Sequence, residues 1–174
     1  KGKAGAQAKR IKAIDGHEIT SPLHGVKNTE YACLLSHIKA IEWAKENQFP
    51  CVAVFEDDVI FKPNFKTDFE FYLSQLPEDW HILYLGGSFG RPPEYFNQHF
   101  SKQVKTWGAF AYVVHARAYD LLLDEFFRAK EITDAVLIKY QQKYLCLKPS
   151  KKLVEHPPGY STIKERDVNY QKLL

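Results

Sequence analysis

Residues 51–61, CVAVFEDDVIF, decide how the rest of the chain is read. Cys51 to Phe55 is a continuous apolar run, and it meets three adjacent carboxylates, Glu56, Asp57 and Asp58. A short apolar run stopped by charge reads as a strand of a parallel sheet covered on both faces. Neighbouring carboxylates repel, and burying them is costly unless a cation compensates. On extended backbone alternate side chains share a face, so Glu56 and Asp58 point together and Asp57 points elsewhere. Open α/β sheets bind ligands beyond the carboxyl ends of their strands. Two convergent carboxylates there make a hard-oxygen site suited to Mg²⁺ or Mn²⁺. The competing reading is a solvated strand end with Asp58 capping a turn.

The flanking sequence supplies the layers. In residues 29–47, Tyr31, Leu34, Leu35, Ile38 and Ile41 recur at helical spacing behind Thr29 as N-cap, and Pro50 stops the helix. Phe65, Phe69, Tyr72, Leu73 and Leu76 mark a second helix, and HILYLGG (81–87) a second buried strand ending in Gly86-Gly87. Residues 88–106 lack periodicity and read as a long functional or mobile loop. AFAYVVH (109–115) is a strand, and residues 116–129 a helix with Leu121, Leu122 and Phe126 inward. Thr133 or Asp134 caps a helix through Tyr140, residues 143–148 form a short strand, and an irregular tail follows from His156. The alternation implies a single α/β domain over residues 1–174 with a mixed sheet flanked by helices.

Composition narrows the partners. Of 174 residues 45% are hydrophobic and 14% aromatic, which indicates a folded core rather than disorder. A net charge of +3 permits association with a membrane surface without arguing for it, and no basic stripe or motif suggests nucleic acid. Cys33, Cys51 and Cys146 stand among apolar neighbours and read as reduced core thiols, without zinc spacing. Together with the lack of a visible signal peptide, they favour a reducing compartment. The chain lacks Met throughout, and its N-terminus reads as incomplete.

The helix before the acidic triplet carries Cys33, Ser36, His37, Ala40 and Ala44 on one face. Ser36 and His37 could donate to phosphate or sugar hydroxyls there. The alternative for His37 is a core histidine satisfied by a backbone carbonyl.

Residues 30–61, EYACLLSHIKAIEWAKENQFPCVAVFEDDVIF, resemble the signature of glycosyltransferase family 25, which includes lipo-oligosaccharide and collagen galactosyltransferases. The family pattern runs Gly-Cys-x-x-Ser-His in a helix, then a strand into Glu-Asp-Asp; here Ala32 replaces the Gly. AIDGHEI (13–19), WHILYLGG (80–87), AFAYVVHARAYDLLL (109–123), ITDAVL (132–137) and PPGYSTI (157–163) resemble further family segments in the expected order.

The resemblance implies a GT-A-like, Rossmann-like fold. It also implies transfer of a sugar, galactose above others, from a UDP-sugar to a glycan or hydroxylated acceptor with Mn²⁺ or Mg²⁺. By the same resemblance Glu56 and Asp58 hold the metal, and Ser36, His37, Asp57 and Gly86 face the donor. His156 stands where the family pattern has a Gln-like residue; an imidazole there suits Mn²⁺ as a third ligand, or is an ordinary loop residue. The family is regarded as inverting, which makes Asp134 the general base, with helix capping as its alternative. Trp107 stacks on an acceptor sugar or is simply buried under the 88–106 loop.

The family's opening Ile-Asn-Leu strand precedes the sequence in hand, and Thr162 replaces the usual Asp after Ser161. The expected location is the cytoplasm, up to the membrane surface, with the secretory lumen as alternative. Two rival functions remain: a non-catalytic sugar-nucleotide or partner-binding module of the same fold, and a metal-dependent phosphohydrolase. The phosphohydrolase needs an Asp-x-Asp-x-Thr nucleophile motif or a Lys at a later strand end, and EDDVI offers neither cleanly.

Overall fold

The computed structural model describes residues 8–21, 23–161 and 166–168. Helix α1 (Asn28–Glu46) leads into β1 (Cys51–Phe55); β2 (Ile60–Phe61), α2 (Phe65–Ser74) and β3 (Ile82–Tyr84) follow the acidic triplet. Four short strands come next: β4 (Ser88–Phe89), β5 (Glu94–Tyr95), β6 (Phe100–Lys102) and β7 (Thr106–Trp107). Then come β8 (Ala111–His115), α3 (Tyr119–Arg128), α4 (Thr133–Gln141), β9 (Cys146–Pro149) and β10 (Val154–Glu155). A separate antiparallel pair, β11 (Gly159–Ser161) with β12 (Arg166–Val168), ends the described chain.

The main sheet has six strands in the order β1-β8-β3-β9-β6-β5. Its β3–β9 pairing is parallel and the others are antiparallel. Alternation along the central strands makes two cores. Ile82, Tyr84, Tyr112 and Val114 face α1, α3 and α4, packing with Leu34, Ile41, Leu122, Phe126 and Leu137. Leu83, Leu85, Val113 and Leu147 face the other way, against Trp80 and Tyr72 of α2. A sheet covered on both faces explains why β3 and β8 read as unbroken apolar runs.

The expectation for β1 is corrected. Among the described residues it is an edge strand, antiparallel to β8, with Ala53 and Phe55 exposed. Apolar content reports what a strand's faces meet, not the direction or number of its partners, so the run itself did not distinguish these cases. The 88–106 segment is also more ordered than a loop. There β4 pairs with β7, and the β5–β6 hairpin extends the main sheet. Strands of two or three residues are too short to show alternation in sequence.

Smaller departures concern helix ends. α1 begins one residue early, with Lys27 at the cap position and its N–H donated to Glu30 Oε2 at 3.2 Å. Thr29 lies inside the first turn, so it does not cap. α4 is preceded by Ile132 at its cap, so neither Thr133 nor Asp134 serves there. Leu121 is 40% exposed, whereas Leu122 and Phe126 are buried as expected. All three cysteines are free, but only Cys146 is fully buried; Cys33 and Cys51 are half-buried. Thr162 lies outside the described residues.

One buried amide ties α4 to the edge of the site. Gln141 Oε1 accepts the Thr106 N–H at 2.8 Å, and its Nε2 donates to the Tyr84 hydroxyl at 2.8 Å and the Thr106 carbonyl at 3.1 Å. Replacing it by an apolar side chain of similar size strands those groups away from water. Gln141→Leu should therefore cost about 1–3 kcal/mol or more in urea unfolding, the penalty for an unsatisfied buried polar group. Unchanged stability would show that Gln141 merely fills space.

Candidate active site

A groove of about 1980 Å³ runs along the whole of β1, against Phe65, Phe69 and Leu73, to the acidic triplet at its carboxyl end. It is walled by the 8–17 segment, one face of α1, residues 107–110 and the start of α4. Glu56 is fixed there because its N–H continues the β1–β8 ladder to the Phe110 carbonyl at 2.8 Å. The chain then turns through Asp57 and Asp58, both exposed and both in the groove wall.

His156 arrives from a point nearly a hundred residues away in sequence. The β2–β10 register, Val154 opposite Phe61 and Glu155 opposite Ile60, brings His156 alongside the turn that carries Asp58. His156 Nε2 stands 2.7 Å from Asp58 Oδ2, and ligand atoms of Glu56, Asp58 and His156 all lie within 4.8 Å of one another. His156 Nδ1–H donates to the Pro157 carbonyl at 2.7 Å. That contact fixes the ring so that Nε2 is the nitrogen aimed at the carboxylates, the arrangement usual for a metal-ligating histidine. The donor set of two carboxylates and one imidazole fits Mn²⁺, and fits Mg²⁺ less well.

His37 is buried, at 4% exposure, between the helix layer and the sheet. Its Nδ1 shares a 2.8 Å hydrogen bond with the Tyr112 hydroxyl, and its Nε2 is 3.5 Å from Glu56 Oε1. It is a core histidine, but its partners are a tyrosine and a carboxylate rather than a backbone carbonyl. Burial disfavours its charged form, yet Tyr112, Cys33 and Glu56 around the ring outweigh burial and hold its pKa well above the ordinary value. Ser36 lines the groove with both hydrogen-bonding roles already in use. Its hydroxyl donates to the Ala32 carbonyl at 2.8 Å and accepts the Ile14 N–H at 2.9 Å, which anchors the 8–17 segment onto α1.

Asp134, half-buried on the first turn of α4, reaches across the groove to accept the Ala109 N–H at 2.9 Å. Desolvation raises its carboxyl pKa, and the backbone N–H groups of Gly108 and Ala109 only partly oppose that. Trp107 is half-buried in the groove wall. Gly86 sits differently from expectation. It is buried beneath the Phe110 ring, where an added Cβ would stand 2.3 Å from the ring edge, so it makes room for Phe110 rather than facing the groove. Gly87, at φ +114°, and Gly108, at φ +93°, line the wall instead, together with Gly16 and Gly90. Sequence reasoning also passed over Tyr112, which orients His37, and Phe110, which packs edge-on against His156 at 5.6 Å. Their only sequence signal was alternation within AFAYVVH.

Residues 6–138 match the family model for glycosyltransferase family 25, described as an LPS biosynthesis protein. A search of curated proteins finds no match.

The raised pKa of Asp134 has a thermodynamic consequence. The folded carboxyl keeps its proton to higher pH than the unfolded one, so the fold binds more protons between those two values. Stability therefore falls as pH rises from the ordinary aspartate range through the raised value. Asp134→Asn removes this titration. Its melting temperature relative to the parent should rise as pH moves from below the ordinary aspartate value to neutrality. A difference that stays constant over that range would rule out a burial-driven shift.

Proposed function

The chain belongs to glycosyltransferase family 25, and from that premise we propose that it moves galactose from a UDP-sugar to a glycan or hydroxylated acceptor with inversion. The observation that carries this reading is the convergence of Glu56, Asp58 and His156 at one end of a groove that also holds the semi-buried Asp134. Glu56, Asp58 and His156 are the residues that would hold Mn²⁺ or Mg²⁺. A divalent cation there supplies Lewis-acid neutralisation of the leaving diphosphate.

The protein's own groups do the rest. Lys9, Arg10, Lys12 and Lys152 line the same groove and offset phosphate charge. Asp134 takes the proton of the acceptor hydroxyl while that oxygen bonds to the anomeric carbon and the bond to the diphosphate oxygen breaks. Burial suits it to this task, because a carboxylate with a raised pKa is the stronger base. The Gly108 and Ala109 N–H groups keep it aimed. Trp107 offers an aromatic face to an acceptor sugar. The GT-A type of fold and a cytoplasmic site of action, at the membrane face where glycolipid acceptors are reached, complete the proposal. No helix among the described residues is long and apolar enough to cross a membrane.

Two variants test this. Asp58→Ala should abolish Mn²⁺-dependent UDP-sugar binding with little loss of melting temperature, because Asp58 is exposed; undiminished metal dependence would remove Asp58 from the metal site. Asp134→Asn can still accept the Ala109 N–H but cannot take a proton at neutral pH. It should bind donor with near-normal affinity and transfer sugar at least about a hundredfold more slowly, the lower end of the effect of a positioned base. Transfer within a few-fold of the parent would reduce Asp134 to a strut for residues 108–109.

A further inference from the structure

We propose that Cys33, His37 and Glu56 form a second cation site, selective for a thiophilic ion such as Zn²⁺, next to the oxygen-rich one. Ligand atoms of these three residues lie within 4.8 Å of one another. Cys33 and His37 are four residues apart on α1 and so share a face. The 3.5 Å between His37 Nε2 and Glu56 Oε1 is the separation a tetrahedral zinc imposes. Nitrogen and oxygen ligands each about 2.0–2.2 Å from the ion stand roughly 3.4 Å apart.

Each of the two helix ligands also has an outer partner that fixes it. The Tyr112 hydroxyl engages His37 Nδ1 at 2.8 Å and leaves Nε2 to the ion. The Thr133 hydroxyl lies 3.8 Å from Cys33 Sγ and can donate to a thiolate there. Such second contacts orient metal ligands and preserve their geometry. The three residues line the groove, so a fourth position remains for water or an anionic ligand.

A thiolate separates this site from its neighbour, since sulfur selects zinc over Mg²⁺ and Mn²⁺. Binding replaces the Cys33 S–H bond by an S–Zn bond and the His37 Nε2–H bond by an N–Zn bond, and both protons go to solvent. Glu56 belongs to both clusters. Zinc held by Cys33 and His37 therefore draws that carboxylate away from Asp58 and His156 and opposes the catalytic cation. This antagonism rests on the metal reading above; the zinc site itself does not.

The intact chain provides the direct test. Each cysteine's alkylation by iodoacetamide is followed by peptide mass spectrometry with Zn²⁺, Mg²⁺ or neither. Zn²⁺ at about ten times its dissociation constant should slow Cys33 alkylation roughly tenfold, in proportion to the thiol left unbound, while Mg²⁺ should not. Cys51 in the same molecule, also half-buried, serves as the unprotected control. Competition with a chromophoric chelator should show Zn²⁺ affinity weakened by the same factor in Cys33→Ser and retained in Asp58→Ala. Unprotected Cys33 in the parent overturns the site even if Cys33→Ser does not fold. Zinc binding lost in Asp58→Ala but kept in Cys33→Ser also overturns it, by moving zinc to the oxygen site. Zinc protection alongside an Asp58→Ala variant of normal metal dependence overturns the catalytic-metal reading and leaves the zinc site standing.

Discussion

The hydrogen bond between His37 and Tyr112 joins the helix layer to the sheet at the place where the groove is built. Both partners are buried, so a broken contact would leave two polar groups without water, at a cost of about 1–3 kcal/mol each. The bond therefore sets the rotation of α1 on the sheet. A one-residue change in the helix face would turn His37 by about 100° and carry Cys33, Ser36 and the bond to Ile14 away with it. Tyr112 is itself locked, pairing with Val54 of β1 on one side and Tyr84 of β3 on the other. The position of Glu56, two residues beyond Val54, follows from the same ladder.

Around that joint the groove balances charge by recruiting distant segments. Glu56, Asp58 and Asp134 would repel one another if left alone, and Glu56 contributes to the raised Asp134 pKa. Positive groups come from the 8–17 segment, which has no regular structure before its short 3₁₀ turn at Gly16–Glu18. It is tied to α1 through Ser36, through Gly16 and through Lys9, whose ammonium lies 4.9 Å from the centre of the Trp43 ring. Ser36 takes the Ile14 N–H, and Asp15 accepts the His17 N–H at 2.9 Å to close the turn. Gly16 packs so closely on α1 that an added Cβ would stand 2.8 Å from Thr29 Cα. The AIDGHEI motif thus reads as a clasp that brings Lys9, Arg10 and Lys12 to the groove wall.

The layers were legible because they rest on periodicity. α1, α2, α3, β3 and β8 announce themselves through apolar spacing, and the free cysteines through their number and surroundings. What stayed hidden was non-local. Nothing in CVAVF states whether its neighbour runs parallel or antiparallel, or on how many sides it is paired. The role of Ser36 depends on Ile14, that of Asp134 on Ala109, and that of Gly86 on Phe110, partners between 22 and 25 residues away in sequence. Glu56 and Asp58 could be paired from their spacing, although β1 ends at Phe55 and a turn at Asp57-Asp58, not extended backbone, carries the second carboxylate and leaves Asp57 in the groove wall as well. The direct approach of His156 to Asp58 could not, because it depends on the β2–β10 register.

That register gives the site a mechanical property of its own. The β2–β10 ribbon has two residue pairs, Val154 with Phe61 and Glu155 with Ile60, too few to be stable in isolation. It is held at its base by the buried Leu153 and Val154 and by a 2.6 Å bridge between Lys62 and Glu155. At the other end, its register is continued by the approach of His156 to Asp58. A ligand binding across those two side chains closes the ribbon from its open end. By linkage, such a ligand stabilises the ribbon by its preference for the closed over the open form, and ribbon opening weakens the ligand by the same free energy. On the metal reading proposed above, cation binding at the tip and folding of the segment that carries His156 are one equilibrium.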